Sequence, residues 1–315
     1  MLIFPTYQTM LASAAATSSG GGGSSIVDTD LYINYDFSDT DCWNRTNGTN
    51  TDDYTIHNLA NDYNDGLLRS RTGSGNAYRD ASDSPCIDFN TDGDGCIESI
   101  PSNNDNDSDD FDLIIRGTKT NNDSSSPHYN LTAVSSTDSN NVFNGVGTGA
   151  YTQEIWYRAY LDHSKTVLGT LFGTLAADSS DGSLYVNGLL ASPGYTSGYW
   201  STYANKIRMT PFFSNPMTIA GVPSSGAAWS DWNHFVYSRN SSSTDDTKIY
   251  VNNSLDYTGT DSRDYSHLKS FSMFYVSSSS KVPMRIGIFR FYRGKALTSS
   301  EVTTNWNAQK SRFGH

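Results

Sequence analysis

Residues 282–314 read VPMRIGIFRFYRGKALTSSEVTTNWNAQKSRFG, and two elements can be assigned in this stretch from residue types alone. Residues 284–292 are mostly β-branched and aromatic and are bounded by a proline and a glycine, which predicts a strand. Thr298 and Glu301 form a T-x-x-E capping box, which satisfies the free amides at the start of a helix. The stretch therefore predicts a strand, a tight turn and a closing helix.

Val302 and Trp306 lie one turn apart in this helix, so we expect both to face the core. A strand followed by such a helix resembles the end of a laminin-G-like, concanavalin A-like jelly-roll domain. In that family the strand reads roughly R-I-G-x-F-x-x-Y, and x-A-L-S-x-x-E-V-x-x-N-Y/W-N-A follows. The matching positions are Ile286, Gly287, Phe289, Tyr292, Ala296, Leu297, Glu301, Val302, Asn305, Trp306 and Asn307. The ending N-A-x-K-S-R-F-G is similar to copies of the domain in bacteriophage virion proteins.

Four further segments resemble the same family. Residues 58–67 resemble a turn signature near its start, and residues 151–160 (YTQEIWYRAY) resemble a central strand. Residues 232–237 (WNHFVY) and 248–255 (KIYVNNSL) resemble a later strand and hairpin. Asn253 stands where the family has glycine, and asparagine is the next residue to accept a positive φ.

Alternating apolar residues bounded by Gly, Asn and Ser turns predict additional strands. They are 32–37, 113–116, 167–175, 183–187, 206–213 and 271–276. We therefore predict an all-β fold, a concanavalin A-like (LamG-like) jelly-roll β-sandwich with one short C-terminal helix and an extended N-terminal arm. The jelly roll is assigned to residues 29–315, with polar insertions near 71–110 and 117–145. Within 71–110 we predict only one strand, at 87–89.

The 315-residue chain has 33 acidic and 21 basic residues, and its net charge is −12 at pH 7. A nucleic-acid partner requires a basic face, so this composition argues against one. No apolar run approaches the roughly 20 residues that a membrane span requires. The start of the chain lacks the basic region of a signal peptide, so we expect no cleaved leader.

The three cysteines are Cys42, Cys86 and Cys96, an odd number that does not describe a disulfide framework. Two interpretations remain. A bridge between Cys86 and Cys96 would close the loop between them, whereas free thiols would be expected after folding in a reducing cytoplasm.

The N-terminal arm, residues 1–28, is expected to be a separate unit. Tyr7, Met10 and Leu11 follow helical spacing, and the SSGGGGSS sequence at 18–25 is typical of a flexible linker. A short amphipathic segment without a core of its own should dock on a partner. We predict that it anchors the domain to capsid or tail proteins, the alternative being a frayed terminus.

A calcium site is suggested by Asp88, Asn90, Asp92 and Asp94, whose oxygen-bearing side chains alternate along a glycine-containing loop. The pattern does not fit an EF-hand, since the bidentate glutamate at the twelfth position is missing. We therefore predict a structural Ca²⁺ outside an EF-hand, against the alternative of a solvated acidic loop.

Catalytic residues are not predicted. Related glycosidases carry two glutamates in an E-x-D-x-x-E strand, because two carboxyl groups must flank the scissile bond. Here Glu98 is placed in a loop, Glu154 is alone on its strand and Glu301 caps a helix. His234 lies in a strand and is interpreted as a packed structural residue.

Aromatic residues are the remaining candidates for binding. Tyr195, Tyr199, Trp200 and Tyr203 lie in a Gly- and Ser-rich segment, and Trp229 is interpreted as similarly placed. Sugar rings stack well on rigid aromatic side chains. The alternative is that these rings seal a sandwich edge or an interface between copies in a homo-oligomer.

Together with the resemblance to copies in bacteriophage virion proteins, these patterns predict a non-enzymatic virion surface protein, either capsid decoration or a tail or fibre appendage. It would assemble in the host cytoplasm and display its jelly roll for glycan or host-surface binding. The alternatives are a secreted, lectin-like cellular adhesion module and a glycoside hydrolase.

Overall fold

A computed structural model describes residues 25–39, 41–42, 55–61, 66–70, 97–98, 111–116, 146–164, 166, 168–175, 184–191, 193–209, 217–265, 270–273 and 284–315. Within these ranges the regular elements are strands and one α-helix. The strands are β1 (Leu31–Asp36), β2 (Thr55–Ile56), β3 (Gly66–Ser70), β4 (Ile97–Glu98), β5 (Phe111–Arg116), β6 (Tyr151–Asp162), β7 (Leu168–Leu175), β8 (Leu184–Ala191), β9 (Lys206–Met209), β10 (Met217–Thr218), β11 (Ala227–Trp229), β12 (Asn233–Arg239), β13 (Thr247–Val251), β14 (Ser254–Gly259), β15 (Ser270–Met273) and β16 (Met284–Arg293). The helix is α1 (Ser299–Gln309).

The described strands form two antiparallel sheets. The first sheet has the order β1-β16-β6-β12-β13-β14, with β4 beside β16 and β11 beside β6. The second has the order β10-β9-β8-β7-β15-β5-β3-β2. Buried side chains from both sheets form one core, for example Ile155 and Phe289 of the first sheet with Ile207 and Met217 of the second. The all-β jelly-roll sandwich predicted from the sequence is confirmed.

At strand β6 the first sheet is covered on both faces. Its burial pattern is nearly continuous, as expected for a strand with packed residues on either side. Ile155 and Tyr157 point into the core between the sheets, whereas Trp156 belongs to a separate cluster on the outer face.

Helix α1 packs on this outer face. Thr298 accepts a hydrogen bond from the Glu301 N–H, and the Glu301 carboxylate accepts one from the Thr298 N–H, so the predicted capping box is present. Val302 is fully buried, and the Trp306 ring stacks on Trp156 at a centroid distance of 5.1 Å. We call residues 299–315, the helix and the tail that follows it, the C-terminal cover.

The tail of the C-terminal cover packs so closely on β16 that one position of the strand must be glycine. A register shift separates Ile286 from Ile288 where β16 pairs with β6. A Cβ atom on Gly287 would lie 2.7 Å from Cε1 of Phe313. Glycine is therefore required here for the Phe313 ring to reach the sheet.

The two borders of the first sheet differ. At β1, the Asn58 amide nitrogen donates to the Tyr32 carbonyl at 2.8 Å and the Asn58 amide oxygen accepts from the Asn34 N–H at 2.9 Å. Asn61 also donates to the Tyr32 carbonyl, at 2.8 Å. At the other border, β14 pairs only with β13 among the described strands, and its Leu255 side chain is 54% exposed.

The sequence-based prediction was wrong for Glu98. It belongs to the short strand β4, where it lies opposite Arg285 of β16, and not to a loop. Two residues between polar stretches give too short a pattern to predict a strand. Residues 1–24 of the N-terminal arm, the predicted strand at 87–89 and most of the two polar insertions lie outside the described residues.

Candidate functional site

The segment between β8 and β9 presents aromatic rings to solvent. We call residues 194–204 the aromatic loop. Gly198 has φ 76, and its carbonyl accepts from the Ser201 hydroxyl at 2.7 Å, which holds the start of a short 3-10 helix at Tyr199–Tyr203. The Tyr199 and Tyr203 rings lie 5.3 Å apart with an interplanar angle of 58°.

Exposure distinguishes the rings of the aromatic loop. Tyr199 is 58% exposed, whereas Tyr203 is half-buried. Tyr195 is also half-buried, and this burial raises the pKa of its hydroxyl. The side chain of Trp200 lies outside the described residues. Tyr199 therefore offers an open ring face backed by Tyr203, an arrangement that can stack on the apolar face of a sugar ring.

Trp229 does not lie beside the aromatic loop in the fold. It ends strand β11, which pairs with β6 of the first sheet, and it is half-buried. The Arg158 guanidinium carbon lies 5.3 Å from the centroid of its ring, and that of Arg285 lies 4.4 Å from it. Tyr160 meets the same ring edge-on at 5.5 Å. We call Arg158, Trp229 and Arg285 the arginine–tryptophan cluster.

A fully buried carboxylate lies further along the same face of β6. One Glu154 oxygen accepts from the His234 Nε2 at 2.9 Å and from the Arg290 Nη1 at 3.3 Å. The other accepts from the Asn305 amide of α1 at 2.6 Å and lies 3.5 Å from the Tyr292 hydroxyl. We call Glu154, His234, Arg290 and Asn305 the carboxylate cluster.

The environment of Glu154 sets its charge. Burial alone would raise the pKa of its carboxyl group, but the Arg290 charge and the hydrogen bonds from His234 and Asn305 hold that pKa below its ordinary value. Glu154 is thus an ionised group with 0% exposure beneath the C-terminal cover. A general acid or base must reach its substrate, so this carboxylate serves packing in the structure described.

His234 is also fully buried, as the sequence predicted. Its ring stacks on Trp156 at 4.8 Å and faces the Trp306 ring at 5.6 Å. The cover continues over Trp156 with Phe313, whose ring is 4.3 Å away. It reaches Trp232, whose carbonyl contacts the His315 Nε2 at 2.7 Å.

A second buried polar group, not anticipated from sequence, lies on the inner face of the first sheet. The Tyr237 hydroxyl donates to the Asp261 carboxylate at 2.5 Å, and the Tyr265 hydroxyl donates to the same oxygen. The Arg239 Nη1 lies 3.8 Å from it. Burial, with the neighbouring tyrosines and Asp261, raises the pKa of Tyr237 well above its ordinary value. Because all these side chains are buried, the group is part of the core and not a surface site.

Several predicted residues lie outside the described residues. They are the proposed calcium ligands Asp88, Asn90, Asp92 and Asp94, the arm residues Tyr7, Met10 and Leu11, and the pair Cys86 and Cys96. In the described part of the chain, three or more His, Cys, Asp or Glu side chains nowhere gather closely enough to hold a metal ion. Cys42 is buried. The calcium site and the anchoring arm remain predictions.

Across the described ranges, no helix combines the length and the apolar character that crossing a bilayer demands.

No family model matches the chain, and no curated protein matches it in sequence. Among solved structures it is similar to the binding domain of botulinum neurotoxin DC in complex with rat synaptotagmin II. That match has a TM-score of 0.50 and 11% identity, and covers 89% of this chain and 52% of that one.

Two other similar structures have lower scores. One is a structure of botulinum neurotoxin type C, whose cell entry depends on interaction with two ganglioside molecules, with a TM-score of 0.48, 10% identity, and 88% and 51% coverage. The other is Trypanosoma rangeli sialidase in complex with 2,3-difluoro-KDN, with a TM-score of 0.48, 11% identity, and 97% and 37% coverage. The chain spans about half the length of the neurotoxin chains it resembles, and identities this low concern the fold alone.

Proposed function

We propose that the chain is a non-enzymatic, glycan-binding jelly roll displayed on the surface of a virion. The observation that carries this proposal is the open Tyr199 ring, which is 58% exposed and backed by Tyr203 at 5.3 Å. Exposed aromatic rings with few rotatable bonds bind sugar faces at a low cost in conformational entropy.

Two further observations support a binding role. A β-sandwich of similar fold is the binding domain of botulinum neurotoxin DC. In addition, Glu154, a strand glutamate of the kind that a glycosidase would use, is sealed beneath the C-terminal cover and neutralised by Arg290. Both favour binding over hydrolysis.

The proposed virion attachment uses the N-terminal arm and its Tyr7, Met10 and Leu11. The arm joins the described structure beside α1, where the Val27 N–H donates to the Asn305 amide oxygen at 2.8 Å. The aromatic loop belongs to the second sheet, whereas this junction lies on the outer face of the first. Attachment through the arm is therefore compatible with an aromatic loop that remains accessible. Structural Ca²⁺ on Asp88, Asn90, Asp92 and Asp94 is proposed from the sequence pattern.

Glycan binding is tested with purified full-length chain on a glycan array, followed by titration of the best ligand. We expect Tyr199→Ala to weaken binding about tenfold, the effect of losing one stacked ring. Leu255→Ala is the matched control, because Leu255 is also a large exposed apolar side chain but lies on the first sheet. Equal affinity of both variants and the wild type would contradict a role of the aromatic loop.

The virion location is tested by antibody labelling in electron microscopy. We expect labelled particles, on the head or on the tail. Label on host-cell surfaces and none on particles would instead favour the cellular adhesion module.

A further inference from the structure

Residue 27 of the N-terminal arm is bound through its main chain by two fully buried side chains. The Val27 N–H donates to the Asn305 Oδ1 at 2.8 Å, and the Val27 carbonyl accepts from the Tyr292 hydroxyl at 3.0 Å. In an antiparallel sheet, both main-chain groups of a residue meet one partner residue in the same way. Here a helix side chain and a strand side chain take the place of that partner.

A turn before β1 carries the chain to this position. The Leu31 N–H donates to the Asp28 carbonyl at 3.1 Å, and Asp30 has a positive φ of 61°. The Val27 side chain packs, together with Leu31, against a buried cluster on the outer face. The members of that cluster are Val236, Tyr250, Tyr292, Leu297 and Val302. The arm therefore folds back toward α1 and does not simply extend β1.

The Asn305 amide has a defined orientation in this network. Its nitrogen donates to the Glu154 carboxylate at 2.6 Å and to the Tyr292 hydroxyl at 2.8 Å, so its oxygen faces Val27. An ionised carboxylate only accepts hydrogen bonds, so it disfavours the reversed amide. The Tyr292 hydroxyl has one proton, and its oxygen lies closer to the Val27 carbonyl (3.0 Å) than to the Glu154 carboxylate (3.5 Å). The buried carboxylate thus orients the groups that hold Val27.

This orientation gives the buried charge of Glu154 a role besides packing. A buried ion pair, here Glu154 with Arg290 at 3.3 Å, often stabilises a fold no better than apolar side chains of the same volume. An apolar residue at position 154 would leave either end of the Asn305 amide able to face the arm. The charge therefore specifies a geometry that apolar packing would not.

The clamp also decides which strand takes up a pull on the arm. β16 pairs with both β1 and β6, whereas β1 lies at a border and pairs only with β16 among the described strands. A pull on an arm that began at Leu31 would peel β1 from that border. A pull on an arm held at Val27 acts first on β16 and α1, because Tyr292 and Asn305 belong to these elements.

We propose that Asn305 and Tyr292, oriented by Glu154, form a clamp that fastens the N-terminal arm at Val27 to β16 and α1. The partner of this surface is the arm of the same chain, which is recognised by the main-chain groups and the branched apolar side chain of one residue. Any flexibility of the attachment then ends before Val27, so the domain keeps a fixed orientation on its particle. This consequence for orientation rests on the proposed virion attachment, whereas the clamp itself does not.

Amide hydrogen exchange of the purified full-length chain, followed residue by residue by NMR, tests the clamp without a particle. We expect the Val27 amide to exchange at least about tenfold more slowly than the amide of Thr29, which is exposed in the turn. Tyr292→Phe should speed exchange at Val27 about fivefold relative to the β1 amides, the effect of one lost hydrogen bond. Thr303→Val is the matched control, because it removes a hydroxyl of α1 that binds Asn253 and not the arm.

Two results would overturn the clamp and leave the proposed function intact. One is a wild-type Val27 amide that exchanges as fast as that of Thr29. The other is a Tyr292→Phe variant whose Val27 exchange matches that of Thr303→Val.

Glu154→Gln tests the positioning role of the carboxylate. We expect exchange at Val27 to rise about fivefold or more beyond any rise at the β1 amides, because glutamine no longer enforces the orientation of Asn305. An equal rise at Val27 and at β1 would show that Glu154 only stabilises the fold, and would overturn its positioning role.

The fixed orientation is tested on particles with two proline variants. Val27→Pro removes the N–H that Asn305 accepts, whereas Thr29→Pro places proline at the second position of the turn, where it is favoured. We expect averaged electron micrographs to show one domain angle for the wild type and Thr29→Pro, and scattered angles for Val27→Pro. Scattered angles in the wild type would overturn the fixed orientation. Particles that lack the domain altogether would contradict the proposed function and not the clamp.

Discussion

Two neighbouring parts of the outer face of the first sheet differ in how deeply their side chains are buried. On the outer face of β6, Glu154 and Trp156 are completely buried beneath the C-terminal cover. Two residues further along, Arg158 is partly exposed and borders the half-buried Trp229. Both parts combine charged and aromatic side chains.

The difference between them is the packing above the strand and not the type of side chain. Asn305 and Trp306 of α1 close the first part, so its glutamate is paired, ionised and inaccessible. The second part lies beside Trp232, which the tail contacts through Phe313. Substitutions in the covered part should therefore change the free energy of unfolding, and substitutions on open surfaces should change binding.

The largest expected change in the free energy of unfolding is caused by Glu154→Gln. The variant removes the carboxylate charge that pairs with the buried Arg290 at 3.3 Å, and breaking a buried ion pair in this way costs about 3–5 kcal/mol. Urea unfolding followed by fluorescence measures the change. Asp28→Asn, which alters an exposed acid, is the control and should stay within about 0.5 kcal/mol. A loss below about 1 kcal/mol for Glu154→Gln would show that the cluster is not sealed.

A smaller effect is expected at Asp36, which ties the cover to β1. Its carboxylate accepts from the Arg312 Nη1 and from the Ser38 hydroxyl, each at 2.7 Å. Burial would raise its pKa, but the charges of Arg312 and Arg290 hold that pKa below the ordinary value of 3.8. Because the folded pKa is depressed, this stabilisation is complete above pH 3.8 and is lost as the pH falls through the folded pKa.

The measurement compares unfolding of the wild type and Asp36→Asn between neutral and acid pH. We expect the variant to be about 1 kcal/mol less stable at neutral pH, as for a partly exposed ion pair, and the difference to shrink in acid. A difference that stayed constant down to acid pH would assign the contact to neutral hydrogen bonding instead.

The smallest effect on stability is expected for Tyr199→Ala. A side chain that is 58% exposed should contribute within about 0.5 kcal/mol to the free energy of unfolding, even though we expect the same change to weaken glycan binding. Thermal or urea unfolding checks this. If the loss exceeded about 1 kcal/mol, the ring would be sealing an edge of the sandwich, which was the alternative interpretation of the aromatic loop.

The closing helix was predictable because its signals are local. The capping box at Thr298 and Glu301 and the one-turn spacing of Val302 and Trp306 depend on residues a few positions apart. The same holds for Asn253, which has the expected positive φ of 66°. These features need no knowledge of how the strands pair.

The carboxylate cluster could not be predicted in the same way. Glu154 and Arg290 are 136 residues apart, and the bulge at Gly287 sets the register that brings them together. Alternation along a strand places Glu154, Trp156 and Arg158 on one face of β6. It could not indicate which of them α1 would cover. Trp229 was grouped with the aromatic loop from residue type, but β11 carries it to the first sheet.

The β1 and β14 edges of the first sheet differ in whether a strand from another copy of the chain could pair with them. The backbone at β1 is already occupied by Asn58 and Asn61, so another strand cannot add there without displacing them. The border at β14 remains unpaired among the described strands. Two copies that met through β14 would each use a border that is unpaired among the described strands, whereas growth past β1 would need Asn58 and Asn61 to be displaced. Contact through these two borders is thus expected to favour pairs over fibres.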